Sequence, residues 1–121
     1  MADNRTTANL VRSYARSEIR IGDTLYTRPL RLAASSLEVL TVQTPQELGD
    51  AEFEPLLALR PELDIVGWGG GQLFLPAAQR SWFLQRRIGI ETMELGAACR
   101  TYNLLVQHER AVIALLFPLA A

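Results

Sequence analysis

The feature that most constrains the fold is the alternation of strand and helix patterns in the second half of the chain. Residues 63–68 ("LDIVGW") form a short, continuous apolar run of the kind found in a strand buried on both faces. Residues 76–87 then carry a helical apolar stripe, 89–95 a strand, 96–109 a helix and 110–117 a last strand. Short connections in such an order predict parallel strands joined by right-handed crossovers, which is an α/β layered fold.

The first half of the chain is richer in strand and turn patterns. Residues 17–28 alternate in polarity around a Gly22-Asp23 turn signal and predict a β-hairpin, and residues 35–43 predict a third strand. Residues 45–62 carry helical spacing that ends at Pro61, whereas residues 1–9 are polar and aperiodic and predict a loose tail. We therefore expect one three-layer α/β domain over residues 10–121. Its central mixed sheet would have the order N-terminal β-hairpin followed by β-α-β-α-β-α-β.

Composition excludes several classes of function. A formal net charge of -1 creates no long-range field that attracts nucleic acid. Residues 111–121, the longest apolar stretch, are well short of the ~20 needed to span a membrane, and the N-terminal segment lacks the apolar core of a signal peptide. We therefore expect a cytoplasmic protein without nucleic-acid binding or membrane insertion. With one cysteine, Cys99, and one histidine, His108, a zinc site built on these residue types is excluded, and we expect no metal and no cofactor.

A glycine-rich stretch follows the predicted strand at residues 63–68. Glycines at the carboxyl end of a strand in an α/β sheet can bring backbone amides close to a ligand. The stretch from Gly67 to Gly71 lacks both the spaced glycines of a dinucleotide fingerprint and the Gly-Lys-Ser/Thr of a phosphate loop. Two interpretations stay open. The stretch is either a structural turn, with a positive φ at Gly69 or Gly70, or a contact with a ligand or partner.

Arg100 is unexpected in the first turn of a helix that begins near Ala97, because the helix dipole disfavours a cation there. A carboxylate such as Glu94, or a bound anion, would offset this cost. We expect Arg100 to contact a carboxylate or a loop carbonyl. The candidate crevice for a ligand or partner comprises Gly67, Trp68, Gly69, Gly70, Glu94, Arg100 and Asn103.

No catalytic residue can be assigned from the sequence. Cys99 and His108 are nine residues apart on one predicted helix, about 13.5 Å along its axis, so they cannot form a dyad within it. Cys99 is therefore expected to be buried and inert. Asp64, Glu91 and Glu94 could flank a cleft, but their spacing does not mark an acid–base pair.

Two blocks carry a family resemblance. They are "ELDIVGWGGG" at residues 62–71 and "GIETMELGAACRTYNLLVQHERAVIALLFP" at 89–118, with the closest match over "GAACRTYN". The chain resembles an uncharacterised α/β domain family that includes the mitochondrial respiratory complex I (NADH:ubiquinone oxidoreductase) assembly factor 3 and an adipogenesis-associated cytoplasmic protein. The family usually has Gly-Thr-Gly where this chain has Gly67-Trp68-Gly69, and often an acidic residue in place of His108. The resemblance implies a three-layer α/β fold with a central mixed sheet, and it implies no enzyme activity, cofactor or catalytic residues.

Two hypotheses for function follow. The first is a non-enzymatic protein-binding or assembly-helper domain, acting as a monomer or weak dimer on another protein. The alternative is an enzyme or a small-molecule or anion-binding domain that uses the crevice at Gly67–Gly71, Glu94 and Arg100. An exposed apolar patch would favour the first, and a concave pocket with converging polar groups would favour the second.

Overall fold

A computed structural model describes residues 8–120. Within them the strands are β1 (Val11–Ala15), β2 (Glu18–Ile21), β3 (Thr24–Tyr26), β4 (Leu30–Ala33), β5 (Ser36–Val39), β6 (Leu63–Trp68), β7 (Gly89–Glu94) and β8 (Val112–Phe117). The α-helices are α1 (Asp50–Phe53), α2 (Ala77–Gln85) and α3 (Leu95–Gln107), and 3₁₀ turns span Pro45–Glu47 and Glu54–Leu59.

The strands form two sheets. The central sheet has the order β5-β4-β8-β6-β7, with β6 parallel to both β7 and β8 and with β4 antiparallel to β5 and β8. A smaller antiparallel sheet has the order β1-β2-β3. The predicted mixed sheet and its parallel crossover strands are confirmed. The hairpin at residues 17–28 is also confirmed as β2 and β3, but it belongs to the second sheet, and β4 and β5 supply the antiparallel part of the central one.

Apolar layers cover both faces of the central sheet, which confirms the three-layer α/β architecture. On one face Ile65 packs with α3 and the smaller sheet, in a cluster that includes Tyr102. On the other face Val66 packs with α1 and α2, around a group of aromatic rings that includes Phe53 and Phe83. The side chains of neighbouring β6 residues therefore pack in opposite layers, because successive side chains of a strand point to opposite faces of the sheet.

Two sequence-based predictions for the first half are wrong in detail. The helix predicted over residues 45–62 is broken into the short α1 and two 3₁₀ turns, because Gly49 stands at the N-cap of α1 and Pro55 lies in the first positions of the second 3₁₀ turn. The backbone N–H of Asn9, at the end of the tail predicted over residues 1–9, donates to Ala34 O at 2.9 Å; residues 1–7 of that tail lie outside the described residues, and the tail stays a prediction. Strands β1 and β4 are additional to the prediction.

Candidate functional site

An open crevice lies at the carboxyl ends of β6 and β7, where ligands bind in open α/β sheets. Its volume is about 460 Å³. The lining residues are Tyr14, Ala15, Arg16, Gly69, Gly71, Glu94, Leu95 and Gly96. Of the residues predicted for this site, the crevice brings together Gly69 and Glu94. The other five lie elsewhere or beside it, and each has a structural contact that accounts for its position.

Gly67 and Gly69 hold the strand end close to its neighbours. Gly67 is buried inside β6, where a Cβ would meet the Cβ of Ala98 on α3 at 2.5 Å. Gly69 donates its N–H to Phe117 O at 2.9 Å, and a Cβ there would lie 2.5 Å from Arg16 O. Both glycines therefore permit close backbone packing.

The positive φ predicted for Gly69 or Gly70 belongs instead to Gly71, with φ 111°. Gly70 is exposed and lies against the indole ring of Trp68, so a Cβ there would overlap the ring. The Trp68 side chain is half-buried and packs toward α2, on the sheet face opposite α3. The left-handed backbone geometry of this stretch therefore lies at Gly71, which lines the crevice and at which a Cβ would meet no atom within 4 Å.

Glu94 caps the N-terminus of α3. Its carboxylate accepts hydrogen bonds from the N–H of Gly96 at 2.6 and 2.8 Å and from the N–H of Ala97 at 3.3 Å. The helix begins at Leu95, earlier than the predicted start near Ala97. The carboxylate therefore occupies the position that an anionic ligand would take at a helix N-terminus, and its own charge is already compensated there.

Arg100 does not pair with Glu94. It lies in the second turn of α3, where it donates to the hydroxyl of Tyr14 and its Cζ lies 5.8 Å from the Tyr14 ring centroid. The expected carboxylate or carbonyl partner is therefore replaced by a phenol and its ring. Arg16, on the crevice wall, bonds through Nε to Gly69 O at 3.4 Å. Within residues 8–120, neither guanidinium has a carboxylate within 4 Å.

The side chain of Asn103 connects α3 to β1 through two hydrogen bonds. Its side-chain amide accepts from the backbone N–H of Val11 and donates to the carbonyl of Val11, both at 2.8 Å. The amide thus satisfies two backbone groups of the edge strand β1 that a neighbouring strand would otherwise bond, and it holds the smaller sheet against α3. Asn103 lines a separate hollow next to Leu10 and Gln107, away from the crevice.

The remaining chemically notable side chains do not converge. Cys99 is buried, and burial raises the pKa of its thiol to about 12, with the charge of Glu94 acting in the same direction and that of Arg100 opposing it. His108 is exposed at the other end of α3. Asp64 is fully buried between Ile90 and Ile113, at the opposite end of β6 from the crevice, so it flanks no cleft with Glu94.

A second hollow of about 520 Å³ adjoins the crevice and shares Gly71 and Glu94 with it. Its lining includes Phe74, whose side chain is 73% exposed on the loop between β6 and α2. An exposed aromatic ring of this size beside a crevice is typical of a contact surface.

Sequence reasoning missed the part of the crevice wall formed by Tyr14, Ala15 and Arg16. Tyr14 and Ala15 belong to β1 and Arg16 directly follows it; the register of β1 against β2 shifts between Val11 and Ser13. A bulge of this kind breaks the period of two, so the alternation that marks a strand in a sequence is absent. The weak signal that remained was the Val11, Tyr14 spacing within an otherwise polar segment.

Two kinds of feature are absent from residues 8–120. No group of three or more His, Cys, Asp or Glu side chains in this part of the chain could hold a metal ion. None of its helices is long and apolar enough to cross a bilayer.

Comparisons with known proteins give a family and a fold. A family model described as "Protein of unknown function (DUF498/DUF598)" matches residues 11–117. The chain is 32% identical over 98 residues to the "13 kDa major membrane protein" of Francisella tularensis subsp. holarctica, which covers 78% of this chain and 76% of that protein. A crystal structure of an outer membrane protein from Bartonella henselae is 28% identical in sequence, with a TM-score of 0.81; the match covers 92% of this chain and 95% of that one. A crystal structure of a protein from Bordetella parapertussis is also 28% identical, with a TM-score of 0.84; the match covers 93% of this chain and 97% of that one.

Proposed function

The chain belongs to this family of proteins of unknown function, and we propose that it is a non-enzymatic binding domain that docks a segment of another protein in the crevice. The observation that carries the proposal is the character of the crevice wall. Glycine, alanine and leucine make up much of it, and its carboxylate, Glu94, is already bonded to backbone amides. A wall of this kind offers contact area more than acid–base chemistry.

The other candidate, an anion site at the helix N-terminus, is less well supported. The amides of Gly96 and Ala97 that would bind an anion already bond to Glu94. An anion bound at these amides would first have to displace that carboxylate. Docking of an apolar group beside Gly69 and Gly71 requires no such change.

An assembly-helper role, of the type implied by the resemblance to complex I assembly factor 3, is one form that such docking could take. The proposal includes a cytoplasmic location, a monomer or weak dimer, and no insertion into a membrane. The relatives from Francisella and Bartonella carry "membrane" in their names, so cell fractionation tests this part directly. Recovery in the membrane pellet after high-salt and carbonate washes would contradict it.

The crevice can be blocked at Ala15, an exposed residue of its wall. Ala15→Trp would fill the space with a ring without disturbing either core layer. The matched control is Ala58→Trp, at an exposed position in the second 3₁₀ turn. We expect affinity capture from native extract, quantified by mass spectrometry, to lose specific proteins with Ala15→Trp and to retain them with Ala58→Trp. Equal capture by both variants and the unmodified protein would refute docking in the crevice.

A further inference from the structure

Two arginines flank the crevice at Tyr14 without an acidic partner among residues 8–120. Arg16 forms part of the wall, and its bond within the described residues is the long one to Gly69 O, made through Nε. Arg100 lies across the Tyr14 ring and donates to its hydroxyl. Both side chains are exposed, so their remaining N–H groups face solvent at the crevice rim.

The acidic residue nearest to this rim does not neutralise them. The carboxylate oxygens of Glu94 accept hydrogen bonds from two N–H groups, those of Gly96 and Ala97, in the first turn of α3, which carries the positive end of the helix dipole. The arginine within β1, Arg12, already pairs with Asp23 at 3.2 Å. Among the described residues, the rim thus presents two guanidinium groups without a paired carboxylate, next to an apolar wall.

We propose that the segment docked in the crevice is a peptide that carries an acidic side chain next to a bulky apolar one. This proposal rests on the proposed function and names the chemistry of its partner. The apolar side chain packs between Ala15 and the glycine loop, and the neighbouring carboxylate reaches the guanidinium groups of Arg16 and Arg100. Guanidinium groups bind carboxylates through paired N–H donors, so the arrangement selects an acid over its amide.

The test compares two short peptides that differ only in this charge, Ac-Ala-Phe-Glu-Ala-NH₂ and Ac-Ala-Phe-Gln-Ala-NH₂, titrated into ¹⁵N-labelled protein and followed by NMR. We expect shifts of the amide signals of Gly69, Gly71 and Gly96. We also expect the Glu peptide to bind about three- to fivefold more tightly at low salt, with the difference falling as the salt concentration rises.

Variants of this chain identify the groups responsible. Arg16→Gln and Arg100→Gln should each reduce the preference for the Glu peptide, and the double variant should abolish it. The control is Arg87→Gln, an equal change of charge at an exposed position close to Gly89, the start of β7, whereas the crevice lies at the end of that strand. Loss of the preference in Arg87→Gln would mean that net charge alone is responsible, which overturns the proposal.

The outcomes separate this inference from the proposed function. Equal binding of the Glu and Gln peptides at the crevice overturns recognition of a carboxylate but leaves docking in place. Absence of shifts at the crevice with both peptides also overturns the inference, whereas the capture experiment with Ala15→Trp decides on docking independently. Decanoate is the third probe; binding of decanoate at the same residues without binding of the Glu peptide would assign the site to an amphiphile instead of a peptide.

Discussion

Replacing Asp64 by asparagine should change how the stability of this protein depends on pH. Asp64 is fully buried in β6, and neither carboxylate oxygen has a hydrogen-bond partner in the described part of the chain. Burial raises the pKa of this carboxyl well above its ordinary value of 3.8, while the backbone N–H of Ile65 lowers it by a smaller amount. The folded protein therefore holds the acid in its neutral form at pH values where the unfolded chain has released the proton.

The direction of the effect follows from proton linkage. Because the pKa is higher in the folded than in the unfolded state, the stabilising contribution is complete below about pH 3.8 and is lost as the pH rises through the folded-state pKa. Between those two values the free energy of unfolding falls by up to about 1.4 kcal/mol per pH unit. The total loss is set by how far the folded-state pKa lies above 3.8, and it counts against a typical total of roughly 5–15 kcal/mol for a domain.

Asp64→Asn keeps the shape of the side chain but cannot ionise, so it should lack this slope. The measurement is the free energy of unfolding from urea titrations at half-unit steps between pH 4.5 and 8.5. We expect the variant and the original protein to be within about 1 kcal/mol of each other at the acidic end, with the variant increasingly more stable as the pH rises.

Taking the difference between the two proteins removes the contributions of other groups, including Glu62, whose pKa is lowered mainly by a hydrogen bond from Arg110. Asp23→Asn, at an exposed residue paired with Arg12, is the control and should not reproduce the slope. A difference between Asp64→Asn and the original protein that does not vary with pH would refute the reasoning. The carboxyl would then titrate as it does in water.

Other contacts give separate predictions. Gly67→Ala should destabilise the fold by about 1–3 kcal/mol in thermal or urea unfolding, because its Cβ meets Ala98 at 2.5 Å, and an unchanged midpoint would contradict that close packing. Asn103→Ala should cost about 1–3 kcal/mol, since it leaves the N–H and C=O of Val11 without partners; a smaller loss would mean that water replaces the amide. Cys99 should react with a thiol reagent at pH 8 only after denaturation, because burial raises its pKa to about 12, and rapid labelling of the native protein would show that the thiol is accessible.

Much of the second half of the fold follows from the sequence. The apolar runs of β6 and β8 are long enough, and the helical stripes between them regular enough, that local pattern determines both the elements and their parallel order. The glycine stretch also indicated that a crevice would lie at the carboxyl end of β6, where Gly69 and Gly71 line it. These features depend on neighbouring residues, which a sequence shows directly.

Contacts between distant residues were decided by the tertiary structure alone. Strand β1 has a bulge that removes its alternation, so the crevice residues Tyr14 and Arg16 could not be placed before the strand was seen beside α3. The role of Glu94 depended on where α3 begins. Because the helix starts at Leu95, the Glu94 carboxylate caps it and does not form the ion pair with Arg100 that the sequence suggested.

The same limit applies to Asp64. A sequence shows that an aspartate lies within an apolar strand, but only the packing of both neighbouring strands shows that its side chain is fully buried and has no hydrogen-bond partner among the described residues. Local sequence determines which elements form, because secondary structure depends on nearby residues and their periodicity. Which polar groups find partners is determined by residues far apart in the chain, and it is these partners that fix the charge and shape of the crevice.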